Sequence, residues 1–276
     1  MPTIILPQHH HLLIEGLRIH LIEKLGDGPT IVFLHGRCLS VKMWEKQFTS
    51  EQLASYRLIA FDLPGHGESE YSSEPKRHYS VMGLVNILKQ LLDQVAVTNY
   101  ILVGHSFGAH LVYQAIPHLI GCRGIVGMAM PLVKPARFDL MYNHLDILGQ
   151  AWQANPAAEI ITEYSRISLR LNAPDIPELV KEGLLNNDPK VHEIINSILV
   201  EGAYADETEL INQCPFLVAI VLGAEEQIFN FDYIHNLQLR LWHNGPHLIQ
   251  NAGHLLPWEN STAVDQMLAE FMNAAL

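Results

Sequence analysis

The chain has 276 residues, 49% of them apolar, and a formal charge of −12. That length suits one large domain with a sizeable core, and the acidic balance speaks against nucleic acid or an anionic membrane surface as partner. The three scattered cysteines, Cys38, Cys122 and Cys214, read as free thiols of a reducing compartment. The opening "MPTIILPQHH" lacks a basic start, and no apolar run approaches a membrane span, so a cytoplasmic protein is expected.

In chain order, "LLIEGLRIHLIEK" (12–24) alternates and breaks at Gly16, as two strands of a hairpin do. "TIVFL" (30–34) is a continuous apolar run, the pattern of a strand buried on both faces. Residues 41–54 have helical spacing, and residues 56–62 form another strand. "DLPGHGES" (62–69) is dense in turn formers. Ser80 can cap a helix over 81–95, and "YILVG" (100–104) is a third buried strand with a helix after Ser106. "GIVGMAM" (124–130) is a fourth. This alternation predicts a mostly parallel sheet with helices on both faces. From about Pro131 to about Glu209 only helical patterns follow, so residues 131–209 are expected to form a helical cap on a core made of 1–130 and 210–276. Strands resume at 215–223 and 247–253, giving eight in all, and a last helix with Ser261 as cap closes the chain.

Sixteen histidines raise the question of metal. His9, His10 and His11 read as an exposed tract before a strand. No H-E-x-x-H or Cys-x-x-Cys pattern occurs, so no metal and no cofactor are expected.

The chemistry centres on "ILVGHSFGAHLVYQA". Gly104-x-Ser106-x-Gly108 sits where a strand becomes a helix. Such a turn is so sharp that the residues two positions from the serine must be small, and it lifts the hydroxyl above the strand ends. The helix starting at Phe107 offers partial positive charge there. A serine needs a base, and His254 in "NAGHLLPWEN" follows the last strand. His35 and His66 sit in early loops, and the strained turn aims His105 away. The acid that orients the base should follow the preceding strand. Glu226 in "AEEQIFNFD" is the candidate, with Glu225 and Asp232 as rivals. The oxyanion needs two donors, the backbone N–H groups of Phe107 and of Arg37 in "HGRCLS". The Arg37 side chain could lie over the pocket and attract a carboxylate or carbonyl, or pair with a surface acid. Cys38 reads as a small packing residue.

Together, "LHGRCLS", "DLPGHGES", "GHSFG" and "NAGHLLPWE" resemble the α/β-hydrolase superfamily over nearly the whole chain. More narrowly, "CRGIVGMAMPLV", "GAEEQ" and "LWHNGPHLIQNAGH" resemble the metal-independent N-acyl-homoserine lactonases of that fold. The resemblance implies an α/β-hydrolase fold and a Ser-His-Glu triad of Ser106, His254 and Glu226. It also implies a cap tyrosine that contacts the lactone, matched by Tyr164, and Trp152 is a further candidate lining residue. Two positions depart from that family: Phe107 stands in place of Trp after the nucleophile, and Arg37 in place of Asn after His-Gly. The expected function is a serine hydrolase acting on a small-molecule ester or lactone. A ligand receptor on the same fold and a C–C bond hydrolase are the alternatives.

Overall fold

The structure is a computed structural model that describes residues 6–130, 141–235 and 237–276. Its centre is one eight-stranded sheet, as expected: β1 (Gln8–Ile14), β2 (Leu17–Lys24), β3 (Thr30–Leu34), β4 (Arg57–Phe61), β5 (Tyr100–His105), β6 (Cys122–Met128), β7 (Leu217–Gly223) and β8 (His247–Ile249), in the order β1-β2-β4-β3-β5-β6-β7-β8. β1 and β2 pair antiparallel, as do β2 and β4, and every other pairing is parallel.

The parallel strands are mainly apolar because both faces are covered. In β3, Val32 and Leu34 belong to one core cluster while Ile31 and Phe33 belong to the other, and β5 divides in the same way at Leu102 and Val103. The chain runs outward from β3 to β4, then crosses back to β5 on the other side of β3. Loops leaving β3 and β5 therefore diverge at the reversal point, where open α/β sheets form their crevice.

The helices of six or more residues are α1 (Val81–Gln94), α2 (Phe107–Ala115), α3 (Leu145–Ala151), α4 (Ala158–Ile167), α5 (Glu178–Asn186), α6 (Pro189–Glu201), α7 (Glu207–Asn212) and α8 (Ser261–Ala275), among the described residues. Ser80 caps α1 as read from the sequence, accepting the N–H of Gly83 at 3.1 Å. α3 to α7 lie between β6 and β7, and residues 131–140 of the expected helical segment fall outside the described residues.

Four local readings change. The His9–His11 tract lies within β1 rather than before it, because it pairs with Ile22, Leu21 and His20 across the hairpin. The expected helix over 41–54 is a 3₁₀ turn, Val41–Trp44, and a single α turn, Glu45–Phe48; Thr49 Oγ1 donates back to the Glu45 and Lys46 carbonyls and ends it. Asn260, not Ser261, caps α8, since its Oδ1 accepts the N–H of Ala263 while its Nδ2 donates to the Gln250 carbonyl. β8 stops at Ile249, ahead of Asn251 with φ of 55°.

Candidate active site

Ser106 ends β5 and starts α2 with φ 50° and ψ −118°, a conformation that costs an L-residue free energy. Close packing holds the turn. A Cβ on Gly104 would lie 2.3 Å from the Gly108 carbonyl oxygen, and one on Gly108 would lie 2.5 Å from that of Leu34. Only glycines fit either side of this serine. The Ser106 N–H donates to the Met128 carbonyl at 2.8 Å, which ties the turn to β6.

The loop after β3 crosses directly over this turn. A Cβ on Gly36 would meet His105 Nδ1 at 2.7 Å and Ser106 Cβ at 3.0 Å. His35 anchors the loop: its Nδ1 donates to the Gly36 carbonyl at 2.8 Å and its Nε2 accepts the Leu63 N–H at 2.9 Å. Both bonds suit a neutral ring, and burial lowers the His35 pKa. His35 and His66 are loop-holding residues, in line with the sequence reading.

His254 and Glu226 are held by the loops after β8 and β7. The Ala224 N–H donates to the Ile249 carbonyl and the Glu225 N–H to that of Ala252, both at 2.9 Å, so the two loops move as one. This places His254 Nδ1 3.0 Å from Glu226 Oε2, while Glu226 Oε1 accepts the Ile228 N–H at 2.7 Å. Both residues are buried. Of the three carboxylates considered in the sequence, Glu226 is the one that meets His254; Glu225 and Asp232 do not. The His254 ring packs edge-on against Phe229 and His105, each 5.0 Å away. His105 points beneath the site, where its Nε2 donates to the His254 carbonyl at 2.8 Å.

Ser106, Phe107, Arg37, Tyr164, Trp152 and His254 line one cavity, joined by His110, Tyr142, Ile195, Ile228 and Phe229. Ser106 Oγ has no hydrogen-bond partner among the described residues. The Arg37 side chain is buried and pairs with no surface acid among the described residues. It reaches α6 instead, donating from Nε to His192 Nδ1 at 3.1 Å, from Nη1 to Asn196 Oδ1 at 3.0 Å and from Nη2 to the His192 carbonyl at 3.0 Å. Its guanidinium also lies 4.4 Å from the centre of the Trp152 ring. Cys38 is buried and its thiol pKa is pushed up to about 12 by that burial, which suits a packing residue.

Two neighbours escaped the sequence reading. His110, one turn after Ser106 on α2, pairs through Nδ1 with Glu207 Oε1 at 2.8 Å; its i+4 spacing from the serine was the available signal. Glu259 accepts the N–H groups of Arg170 and Gly253, both at 2.8 Å, and so ties the His254 loop to the end of α4; no local pattern announces it. Among the described residues, a set that could hold a metal lies elsewhere. His9, His20 and Glu68 place ligand atoms within 4.8 Å of one another, a set that joins the histidine tract to two distant segments. No helix among the described residues is long and apolar enough to cross a membrane.

Several known proteins share this architecture. The structure is similar to an N-acyl homoserine lactonase, AidH, solved with N-hexanoyl homoserine lactone: the TM-score is 0.90 at 23% identity, covering 97% of this chain and 98% of that one. An esterase from Exiguobacterium antarcticum superposes with a TM-score of 0.76 at 17% identity, covering 96% of this chain and all of that one (100%). In sequence, epoxide hydrolase B of Mycobacterium tuberculosis (strain ATCC 25618 / H37Rv) is 32% identical over 127 residues, 45% of this chain and 35% of that protein. Epoxide hydrolase 2 of Siraitia grosvenorii is 32% identical over 106 residues, 38% of this chain and 33% of that protein. The matched stretch thus spans about a third of these relatives' length. Residues 31–270 match the alpha/beta hydrolase family, and the chain belongs to that family.

Proposed function

We propose that the chain is a serine hydrolase that cleaves a carboxylic ester or lactone through an acyl-enzyme. One observation carries this reading: a strained serine and a buried histidine–glutamate pair open onto the same cavity. Ser106 Oγ attacks the carbonyl carbon as His254 takes its proton. Glu226 fixes the ring so that Nε2 is the basic nitrogen and stabilises the imidazolium. The N–H groups of Phe107 and Arg37 hold the oxyanion. His254 returns the proton to the departing alcohol oxygen. Water, deprotonated by the same ring, then splits the acyl-enzyme into free acid and Ser106. Residues 131–209 act as the cap, and Tyr164 and Trp152 contact substrate from it.

Opening an epoxide does not suit this nucleophile. Serine attack on an epoxide carbon would leave an ether, which has no carbonyl for water to attack. A carbonyl substrate avoids that dead end. Among lactones, the N-acyl-homoserine lactones are the reading favoured by the lactonase likeness and by Tyr164 in the cavity wall.

Labelling with a fluorophosphonate and turnover of a short p-nitrophenyl ester test the proposal together. Both should be lost in Ser106→Ala, with the circular dichroism spectrum unchanged. Undiminished labelling of that variant would remove Ser106 from the mechanism. Ligand binding without turnover of any ester would favour a receptor.

A further inference from the structure

Arg37 presents an unbalanced charge. A guanidinium stays protonated at neutral pH, and a buried charge is ordinarily matched by an opposite one. Arg37 is 5% exposed, yet its partners are the His192 ring, the His192 carbonyl, the Asn196 amide and the Trp152 face, none of them anionic. His192 accepts from it as a neutral ring: burial, and then the guanidinium itself, push the His192 pKa down to about 3. No carboxylate among the described residues pairs with Arg37. Glu207, which borders the adjoining apolar recess, is engaged with His110. Three hydrogen bonds leave two of the five guanidinium N–H groups unused. The Trp152 ring that covers the guanidinium turns its Nε1–H toward the Tyr164 hydroxyl. The cavity wall at Arg37 is therefore cationic and keeps two unused donors.

We propose that the cavity selects an ester or lactone bearing a second, free carboxylate, which Arg37 binds while the reacting carbonyl lies at Ser106. The proposal rests on the hydrolase reading for its chemistry and on Arg37 for its selectivity. A carboxylate entering here meets a guanidinium that has already lost its water, so the pair gains charge-assisted bonds without desolvating the cation again. A neutral ester leaves that charge unmatched. Apolar Phe107, Ile195 and Ile228 suit the methylenes between the two polar ends. Hydrolysis adds one water across the ester bond: a half-ester of a dicarboxylic acid gives the dicarboxylate and the alcohol.

The test compares ethyl half-esters of dicarboxylic acids, succinate to pimelate, with their neutral diethyl counterparts. Calorimetry on Ser106→Ala protein reads binding without chemistry, and liquid chromatography on the wild type reads turnover. For the best-fitting length the half-ester should bind and turn over about 10- to 100-fold better than the diester, the range of one charge-assisted contact. Asn196→Asp supplies the missing anion 3.0 Å from Nη1 with little change in shape, and should bring that ratio close to one while the protein stays folded. Equal binding of half-ester and diester at every length would overturn the proposal, as would a preference untouched by Asn196→Asp. Selective binding with no turnover would leave the carboxylate site standing and sink the hydrolase reading alone.

Discussion

His254 Nδ1 lies 3.0 Å from Glu226 Oε2, and the other oxygen of that carboxylate accepts the backbone N–H of Ile228. The glutamate is thus fixed from two sides, and it fixes the ring in turn. Glu226→Gln should keep the fold but lower kcat by about 10³- to 10⁴-fold, because the neutral amide no longer stabilises the imidazolium. Stopped-assay kinetics with a p-nitrophenyl ester measure this. A near-wild-type rate, with Glu225→Gln or Asp232→Asn impaired, would move the acid elsewhere.

The His254 loop also depends on a glycine contact with the end of α4. A Cβ on Gly253 would lie 2.4 Å from the Leu169 carbonyl carbon and 2.5 Å from the Arg170 nitrogen, both backbone atoms that cannot step aside. Gly253→Ala should therefore cost about 1–3 kcal/mol of stability, as overpacking does. It should lower kcat more than it raises KM, since the base sits on the next residue. Urea denaturation together with steady-state kinetics separates the two effects.

The Arg37–His192 contact predicts a pH dependence. The His192 pKa is 6.5 in a free side chain and about 3 in the fold, lowered first by burial and then by Arg37. Between those values the unfolded chain binds the extra proton and the folded protein does not. Stability is therefore complete above about pH 6.5 and falls as pH drops toward about 3. His192→Asn keeps an acceptor for Arg37 Nε but cannot titrate, so its melting temperature should fall less steeply over that window. His35, His66, His105 and His247, which burial shifts in the same direction, contribute to the slope that remains. Identical pH profiles for variant and wild type would place the acid sensitivity outside this contact.

Tyr164 bears on the lactone reading. It is buried in the cavity wall, and burial raises its phenol pKa, so its hydroxyl stays neutral. Tyr164→Phe should slow ring opening of an N-acyl-homoserine lactone more than hydrolysis of a phenyl ester, because the lactone's acyl amide gives that hydroxyl a polar partner the simple ester lacks. Each methylene added to the acyl chain should change kcat/KM by at most about fourfold, the value of burying one such group. Mass spectrometry across short to long acyl chains reads both effects. Ester hydrolysis without ring opening at any length would reject the lactonase reading.

Much of this molecule is legible along the chain because the determining interactions are local. "IVFL" (31–34) and "ILVG" (101–104) are continuous apolar runs, the pattern of a strand covered on both faces. The Gly104-x-Ser106-x-Gly108 spacing dictates its own turn, since a Cβ at either glycine would strike backbone. Its place after β7 made Glu226 the candidate, with Glu225 and Asp232 as rivals, but the contact itself lies beyond local pattern: the knitting of two loops that are distant in sequence brings Glu226 to His254. Arg37 shows the same limit from the other side. Its backbone place follows from the motif, whereas its side chain is governed by His192 and Asn196, over 150 residues away. Sequence patterns report the periodicity of burial and the sterics of tight turns, both carried by near neighbours. Which charges meet, and which are left unmatched in the cavity, is decided only when residues as distant as His192 and Asn196 on α6 reach the loop after β3.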